Sequence, residues 1–305
     1  VAFCLLQTGM SAAIKPSVVA ALKAKMQPAR LSRKPVQAPD HLGVFSVRLD
    51  AGAVPLYQAG QYITVGMETP GGFLARAYTI TSCPLDRDAF ELYVVRVDGG
   101  ALTPHLFAAA PDTPVWVLPP KGHFTLAKAQ ARTVVMVATG TGLAPFLGQI
   151  RTLYRLHEVG VPAGYRVVLM HGCAYADEFG FRDELLGYAG ARSTDFDFTY
   201  LTTASRAEDG HGWSDEHGAG RVNELFRSLF DLPTDAAKPV SLPRGCDKKH
   251  LRDLIRAEPA ALMVCGNPGM IDHLREPARQ LGMGGLLVEE YWTGEAPVPS
   301  TSCAA

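Results

Sequence analysis

Five short stretches carry residue types with usable chemistry. In Arg76-Ala77-Tyr78-Thr79, a strand would put Arg76 and Tyr78 on one face and Ala77 and Thr79 on the other. A fixed guanidinium suits a pyrophosphate, a ring stacks on a planar heterocycle, and a hydroxyl can hydrogen-bond a ring nitrogen. Gly99-Gly100-Ala101-Leu102-Thr103-Pro104 reads as the opening of a short helix, with Thr103 as N-cap and Pro104 at the first helical position. Free amides at such a start can hold a phosphate. Thr139-Gly140-Thr141-Gly142-Leu143-Ala144-Pro145 follows an apolar run and precedes a helical pattern. Its glycines admit close approach of a ligand, and the helix start attracts phosphate. It is neither G-x-G-x-x-G nor a Walker loop. Val264-Cys265-Gly266-Asn267-Pro268 repeats the strand-turn-helix pattern, with Cys265 at a strand's carboxyl end, where open α/β sheets take ligands. Core packing of that cysteine is the competing reading. In Glu289-Glu290-Tyr291-Trp292, two acids and two aromatics can cap a flat ring system or simply pack a last strand.

Two kinds of element must position these residues. From 28 to about 127, β-branched or alternating runs (Val44–Leu49, Tyr62–Met67, Arg76–Thr81, Phe90–Val97, Pro114–Leu118) are punctuated by Gly and Pro, which predicts a sandwich or barrel. From about 130, buried runs alternate with helices: Thr133–Ala138 then 144–158, Arg166–His171 then 179–189, Asp197–Thr202 then 220–230, Ala261–Cys265 then 268–281. That alternation predicts a parallel sheet covered on both faces. Residues 204–219 and 231–247 read as loops.

With 305 residues, the chain has length for about two domains. Charged residues are 19% and apolar residues 47%, an ordinary globular balance. A net charge of −1 gives no nucleic-acid footprint, and no run reaches the length of a membrane span. Six cysteines without a C-x-x-C pair argue against a disulfide scaffold, a zinc ribbon or an iron–sulfur centre. Cysteine usage suits a reducing interior, so the cytoplasm is the expected location. Residues 1–39 hold six basic side chains and no acid, with Ile14, Val18, Leu22 and Met26 at helical spacing. They read as a basic tail or short amphipathic helix, with an organelle-targeting peptide as the alternative.

In order, R-x-Y-[ST], G-x-L-[ST], G-T-G-x-A-P, C-G-N-P and a terminal E-x-Y-W resemble the ferredoxin–NADP⁺ reductase family, in particular its bacterial single-subunit ferredoxin/flavodoxin reductases. The resemblance covers roughly residues 28–292. It implies an antiparallel six-stranded Greek-key β-barrel binding FAD, then a doubly wound α/β domain with a five-stranded parallel sheet binding NADP(H). The expected division is residues 1–27 as tail or helix, 28–130 as FAD domain, 131–292 as NADP domain and 293–305 as a flexible tail. It implies that Arg76 binds the FAD pyrophosphate with Ala77 beside it, that Tyr78 stacks on the flavin and that Thr79 bonds near flavin N5. Val95, Ala101, Leu102 and Thr103 would hold FAD, the last three through its phosphates. Thr141 would touch both flavin and nicotinamide, and Gly140, Gly142, Pro145, Gly266 and Asn267 would bind NADP. Cys265 would lie beside the nicotinamide, Tyr291 and Trp292 would cover the other flavin face, and Glu289 would be the nearby carboxylate.

The implied activity carries a hydride from NADPH to FAD and single electrons to ferredoxin or flavodoxin, by a monomeric protein docking acidic partners on a local basic patch. Arg206 and Arg221 match positions that grip a 2′-phosphate, which favours NADP. Glu208 and Asp209 beside Arg206 pull toward an NAD ribose. The alternatives are an NAD(P)H-dependent reductase of an oxygenase system, a flavin reductase, or a flavin-binding subunit without turnover.

Overall fold

The computed structural model describes residues 16–36, 39–191, 193, 196–209, 212–234 and 240–290. The expectations for Tyr291, Trp292 and residues 293–305 fall outside the described residues.

The first sheet is antiparallel. Its strands are β1 (Gln27–Lys34), β2 (Leu42–Leu49), β3 (Tyr62–Thr69), β4 (Gly72–Thr79), β5 (Phe90–Val95) and β6 (Thr113–Lys121), in the order β4-β3-β6-β1-β2-β5. β3 and β4 form a hairpin across Pro70-Gly71, with Thr69 opposite Gly72 and the Thr69 hydroxyl donating to the Gly72 carbonyl at 2.7 Å. Proline and glycine at those two positions make the reversal. The two edges meet just past β4. Ile80 bridges to Leu92, and the Thr81 amide donates to the Glu91 carbonyl at 2.8 Å. This closes the sheet around Phe45, Val47, Ile63, Val65, Phe90 and Leu92.

Helix α1 (Pro16–Lys23) lies on the outside of this barrel. Its buried stripe is Val19, Leu22 and the following Met26, seated on Phe73, Ala75, Trp116 and Leu118. The expected stripe included Val18, but that side chain is 54% exposed. The helix turns Val19 inward instead, three residues before Leu22. Lys23 pairs with Glu68, and its ammonium stands 4.0 Å from the Trp116 ring centre.

Helix α2 (Thr103–Phe107) begins one residue earlier than the capping pattern predicts. Leu102 takes the N-cap position, and no side chain caps this helix. The Thr103 hydroxyl is used elsewhere, accepting from the Val97 amide at 2.9 Å.

After α3 (Leu126–Ala129) the second sheet is parallel: β7 (Thr133–Thr139), β8 (Arg166–Cys173), β9 (Asp197–Ala204), β10 (Gly218–Ala219), β11 (Ala260–Gly266) and β12 (Gly285–Glu290). Its order is β10-β9-β8-β7-β11-β12. Five long strands match the expectation, and the two-residue β10 adds a sixth. Helices α4 (Ala144–Glu158) and α5 (Arg182–Gly190) belong to one side; α6 (Val222–Leu229), α7 (Lys248–Arg256) and α8 (Pro268–Gln280) pack on the other. β7 and β11 are buried throughout except at their last residues, and apolar from Val134 to Ala138 and from Ala260 to Cys265, because helices cover both faces. Helix α7, absent from the sequence reading, starts on Asp247, whose carboxylate accepts from the His250 amide at 3.0 Å.

Candidate active site at the carboxyl ends of β7 and β11

The chain runs outward from β7 to β8 and β9, then crosses back to β11 on the other side of β7. The strand order therefore reverses at the β7/β11 boundary, where open α/β sheets form their ligand crevice. Two of the five sequence motifs meet there. Gly140–Leu143 forms a 3₁₀ turn that runs directly into α4, with Pro145 in that helix's first turn. A Cβ on Gly142 would lie 2.3 Å from the Cys265 carbonyl oxygen, so only glycine fits. Gly266, at φ +133°, lies against Thr139, and the Thr139 hydroxyl accepts from the Asn267 amide at 2.8 Å. The Asn267 side-chain oxygen caps α8, accepting from the Met270 amide at 3.3 Å. The two turns thus interlock through backbone and caps, and Gly140 faces open space.

One row of residues crosses the sheet beneath these turns. Thr202, His171, Ala138, Cys265 and Glu289 are successive register partners on β9, β8, β7, β11 and β12. In-register parallel neighbours point to the same face, here the one covered by α4. Cys265 is fully buried beside Ala138. The Glu289 Oε2 is buried with no hydrogen-bond partner among the described residues. Burial alone lifts its carboxyl to about 7. Sequence reasoning selected Cys265 and Glu289 but not His171. Its signal was a lone histidine directly after the buried apolar run Val167–Met170 of β8.

The Arg76–Thr79 strand reaches this crevice through α4. Leu74 and Tyr78 pack toward the barrel core, while Phe73 and Ala75 face α1. Arg76, between Leu74 and Tyr78 on their face, forms no ion pair among the described residues; its Nη1 donates only to its own neighbour's carbonyl, Ala75, at 2.8 Å. Thr79 is buried, Ala77 is exposed, and burial pushes the Tyr78 phenol up. The chain then passes to Ile80, Thr81 and Ser82, whose carbonyls lie against Gly148 of α4.

Arg151, one turn further, fastens that contact. It donates to the Thr81 carbonyl at 2.9 Å, to Glu91 at 2.6 Å, and through two nitrogens to Glu184 of α5 at 2.6 and 2.8 Å. Burial works against its charge, but Glu184 and Glu91 outweigh burial and keep it protonated. Lys34 also donates to Glu91, at 2.5 Å. These groups line a cleft of about 660 Å³ that contains none of the sequence-selected residues. Lys34 and Arg151 are paired there with Glu91, Arg151 also with Glu184, and Arg155 with Asp86, so the cleft's cations are already engaged across the domain seam.

The remaining candidates are separate from the crevice's centre. Val95 packs with Leu42, Val44, Tyr93 and Ala144, where β5 meets the start of α4. Leu102 is buried in the barrel core, so only its backbone is available to a ligand, while Ala101 is exposed. Thr141 is half-buried on the turn. Arg206 and Arg221 both follow the Ala204–Gly220 contact, in which the Gly220 amide donates to the Ala204 carbonyl at 2.9 Å. Arg206 donates to the Tyr175 hydroxyl at 2.7 Å and lies over that ring. Arg221 is exposed and forms no ion pair among the described residues. Tyr175, after β8, had no local sequence signal.

A flavin and a nicotinamide nucleotide fit what these residues offer. Among the described residues, Arg76 and Arg221 are cations without carboxylate partners and one carboxyl oxygen of Glu289 has no hydrogen-bond partner, while the turn at Gly140 above it is open outward. Each is a demand that a charged or polar ligand group can meet.

Residues 29–126 match the oxidoreductase FAD-binding domain family, and residues 136–276 the oxidoreductase NAD-binding domain family. Ferredoxin–NADP reductase B of Sorangium cellulosum is 33% identical over 211 residues, spanning 68% of this chain and 82% of the relative. The flavodoxin/ferredoxin–NADP reductase of Escherichia coli is 26% identical over 230 residues, 75% of this chain and 81% of the relative. A ferredoxin NADP⁺ reductase from Neisseria gonorrhoeae, solved with bound FAD and NADP, shares the fold at a TM-score of 0.66 and 19% identity, over 88% of this chain and 99% of that one. An FAD-binding barrel, an NAD-binding parallel sheet and five motifs in order all agree: this chain belongs to the ferredoxin–NADP reductase family of oxidoreductases.

Proposed function

We propose that this protein carries electrons between NADPH and ferredoxin or flavodoxin. The observation that carries the reading is the interlocked pair of turns at the β7/β11 crevice, joined through α4 to the strand that bears Arg76, Tyr78 and Thr79. Bound FAD supplies the exchange between two-electron nicotinamide chemistry and one-electron transfer to a partner.

The residues of the chain bind, orient and exclude water. Arg76 neutralises the flavin nucleotide's pyrophosphate, with Ala77 leaving the strand's other face clear. Tyr78 offers its ring for stacking, and the Thr79 hydroxyl a hydrogen bond to the flavin edge. Backbone groups at Ala101, Leu102 and Thr103 hold phosphate, and Val95 closes the apolar side. Gly140, Thr141, Gly142 and Pro145 present the turn and helix start to the nicotinamide nucleotide. Gly266 and Asn267 shape the opposing wall. Buried Cys265 gives the nicotinamide a small, dry neighbour, and Glu289 holds a proton near neutrality there. Arg206, held by the Tyr175 hydroxyl and ring, and Arg221 would grip the 2′-phosphate. Held this way, the two ring systems would be brought together by this chain's own residues for direct transfer.

The test of acceptor is cytochrome c reduction by NADPH. The reading expects a rate that depends on added ferredoxin or flavodoxin. Full activity without either, or rapid reduction of free flavin by protein lacking tightly bound FAD, contradicts it.

A further inference from the structure

His171 is the fully buried polar residue of β8, and both its ring nitrogens are engaged. Nε2 lies 3.1 Å from the Gly140 carbonyl oxygen, and Nδ1 lies 3.1 Å from the Tyr200 hydroxyl. A carbonyl can only accept, which assigns the proton to Nε2. Nδ1 is then the acceptor, and Tyr200 donates to it. The Cys173 sulfur, 3.5 Å from Nε2, lies 3.6 Å from the Glu178 carbonyl, to which its thiol donates. Phe179 packs its ring edge-on to the imidazole at 5.3 Å. Burial lowers the imidazole's pKa to about 4, so the ring is neutral throughout the working range.

The contact is more than core satisfaction because of what Gly140 does. Gly140 opens the 3₁₀ turn and has φ +51°, with nothing on its outer side. Two residues later Gly142 is wedged against Cys265 on β11. The turn is therefore held on β11 by shape and on β8 by the hydrogen bond between His171 and the Gly140 carbonyl. Shape fixes how deep the turn sits. The bond to Gly140 fixes which way its first peptide faces, and with it the direction of the amides that follow. His171 and Cys265 flank Ala138 in the row across the sheet, so the two anchors stand on either side of β7.

We infer that His171 is a positioning residue for nicotinamide-nucleotide binding: its Nε2–H holds the Gly140 carbonyl, and Tyr200 holds the tautomer that makes this possible. This rests on the proposed function, in which the Gly140 turn receives the nucleotide.

The test uses the FAD-loaded protein and three variants. His171→Phe keeps a ring but has no donor. His171→Gln returns an N–H to about the Nε2 position. Tyr200→Phe removes the donor to Nδ1. NADP⁺ binding is measured by calorimetry, with flavin content and melting temperature recorded for each. The expected result is a Kd about tenfold weaker in His171→Phe, within about threefold of wild type in His171→Gln, and intermediate in Tyr200→Phe, the scale of one buried hydrogen bond. Flavin content should stay at the wild-type level, and NADPH turnover should show a raised KM with kcat little changed. A lowered melting temperature with unchanged Kd in His171→Phe overturns the assignment and leaves a purely structural histidine. Equal weakening in His171→Phe and His171→Gln also overturns it. Wild-type protein that carries FAD but binds neither NADP⁺ nor NAD⁺ overturns the functional reading as well.

Discussion

Gly142 lies against Cys265 so closely that a Cβ on the glycine would stand 2.3 Å from the cysteine's carbonyl oxygen and 2.9 Å from the Gly266 Cα. Both neighbours are backbone, so neither can rotate away. Gly142→Ala must push the turn off β11. The expected result is about 1–3 kcal/mol of lost stability, typical of overpacking, and NADPH turnover reduced at least tenfold with flavin content retained. Denaturant titration and steady-state kinetics check it; wild-type kinetics in this variant contradict the interlock.

Glu289 predicts a pH dependence with a definite sign. Its carboxyl is lifted from 4.5 to about 7 by burial. Between those values the folded protein binds more protons than the unfolded chain, so stability falls as pH rises. The contribution is fully present below about 4.5 and lost above about 7. Glu289→Gln removes this slope. Melting temperatures across pH 5 to 8 should converge for variant and wild type at the acid end, with the variant more stable at the alkaline end. Parallel curves contradict a buried, uncompensated carboxyl.

The barrel and much of the parallel sheet were legible because their signals are local. Tyr62–Met67 falls within β3, and Thr133–Ala138 reads as a doubly covered strand whatever surrounds it, whereas the first half of β4, Gly72–Ala75, carried too little β-branched signal to be read. Helix α4 was legible from end to end, since Ala144-Pro145 opens it and its periodicity is clear. Helix α7 was missed, because its apolar positions are few and its start depends on Asp247 capping one amide. Cys265 and Glu289 could each be picked from motifs, but not their adjacency, which comes from β12 pairing with β11. Arg151 was invisible for the same reason. It shares a helix face with Gly148, and only the fold brings that face against Thr81 and Glu91.

Arg151 joins two domains through buried charge, so its removal should be costly. Arg151→Met leaves Glu184 without its double hydrogen bond and Glu91 with Lys34 and the Thr81 hydroxyl. Breaking such a pair costs about 3–5 kcal/mol. Adding Glu184→Gln should restore part of that loss, because the second change removes an uncompensated charge. Guanidinium denaturation of the single and double variants measures the coupling; simple additivity of the two losses contradicts it.

Arg206 and Arg221 should divide NADPH from NADH. Each →Ala variant is expected to raise KM for NADPH about tenfold while leaving NADH kinetics unchanged, as removal of one charge-assisted contact to phosphate would. Because Arg221 pairs with no carboxylate among the described residues, its effect should be at least that of Arg206. Equal losses with both nucleotides place the arginines outside the 2′-phosphate site.

The most direct test is an anaerobic stopped-flow mix of purified protein with NADPH, and separately with NADH, followed at the flavin's visible absorption band. The account predicts bound flavin, fast bleaching by NADPH and slower bleaching by NADH. Protein with no flavin band, or a bound flavin that neither nucleotide bleaches, contradicts the roles given to Arg76, Tyr78 and the Gly140–Gly142 turn.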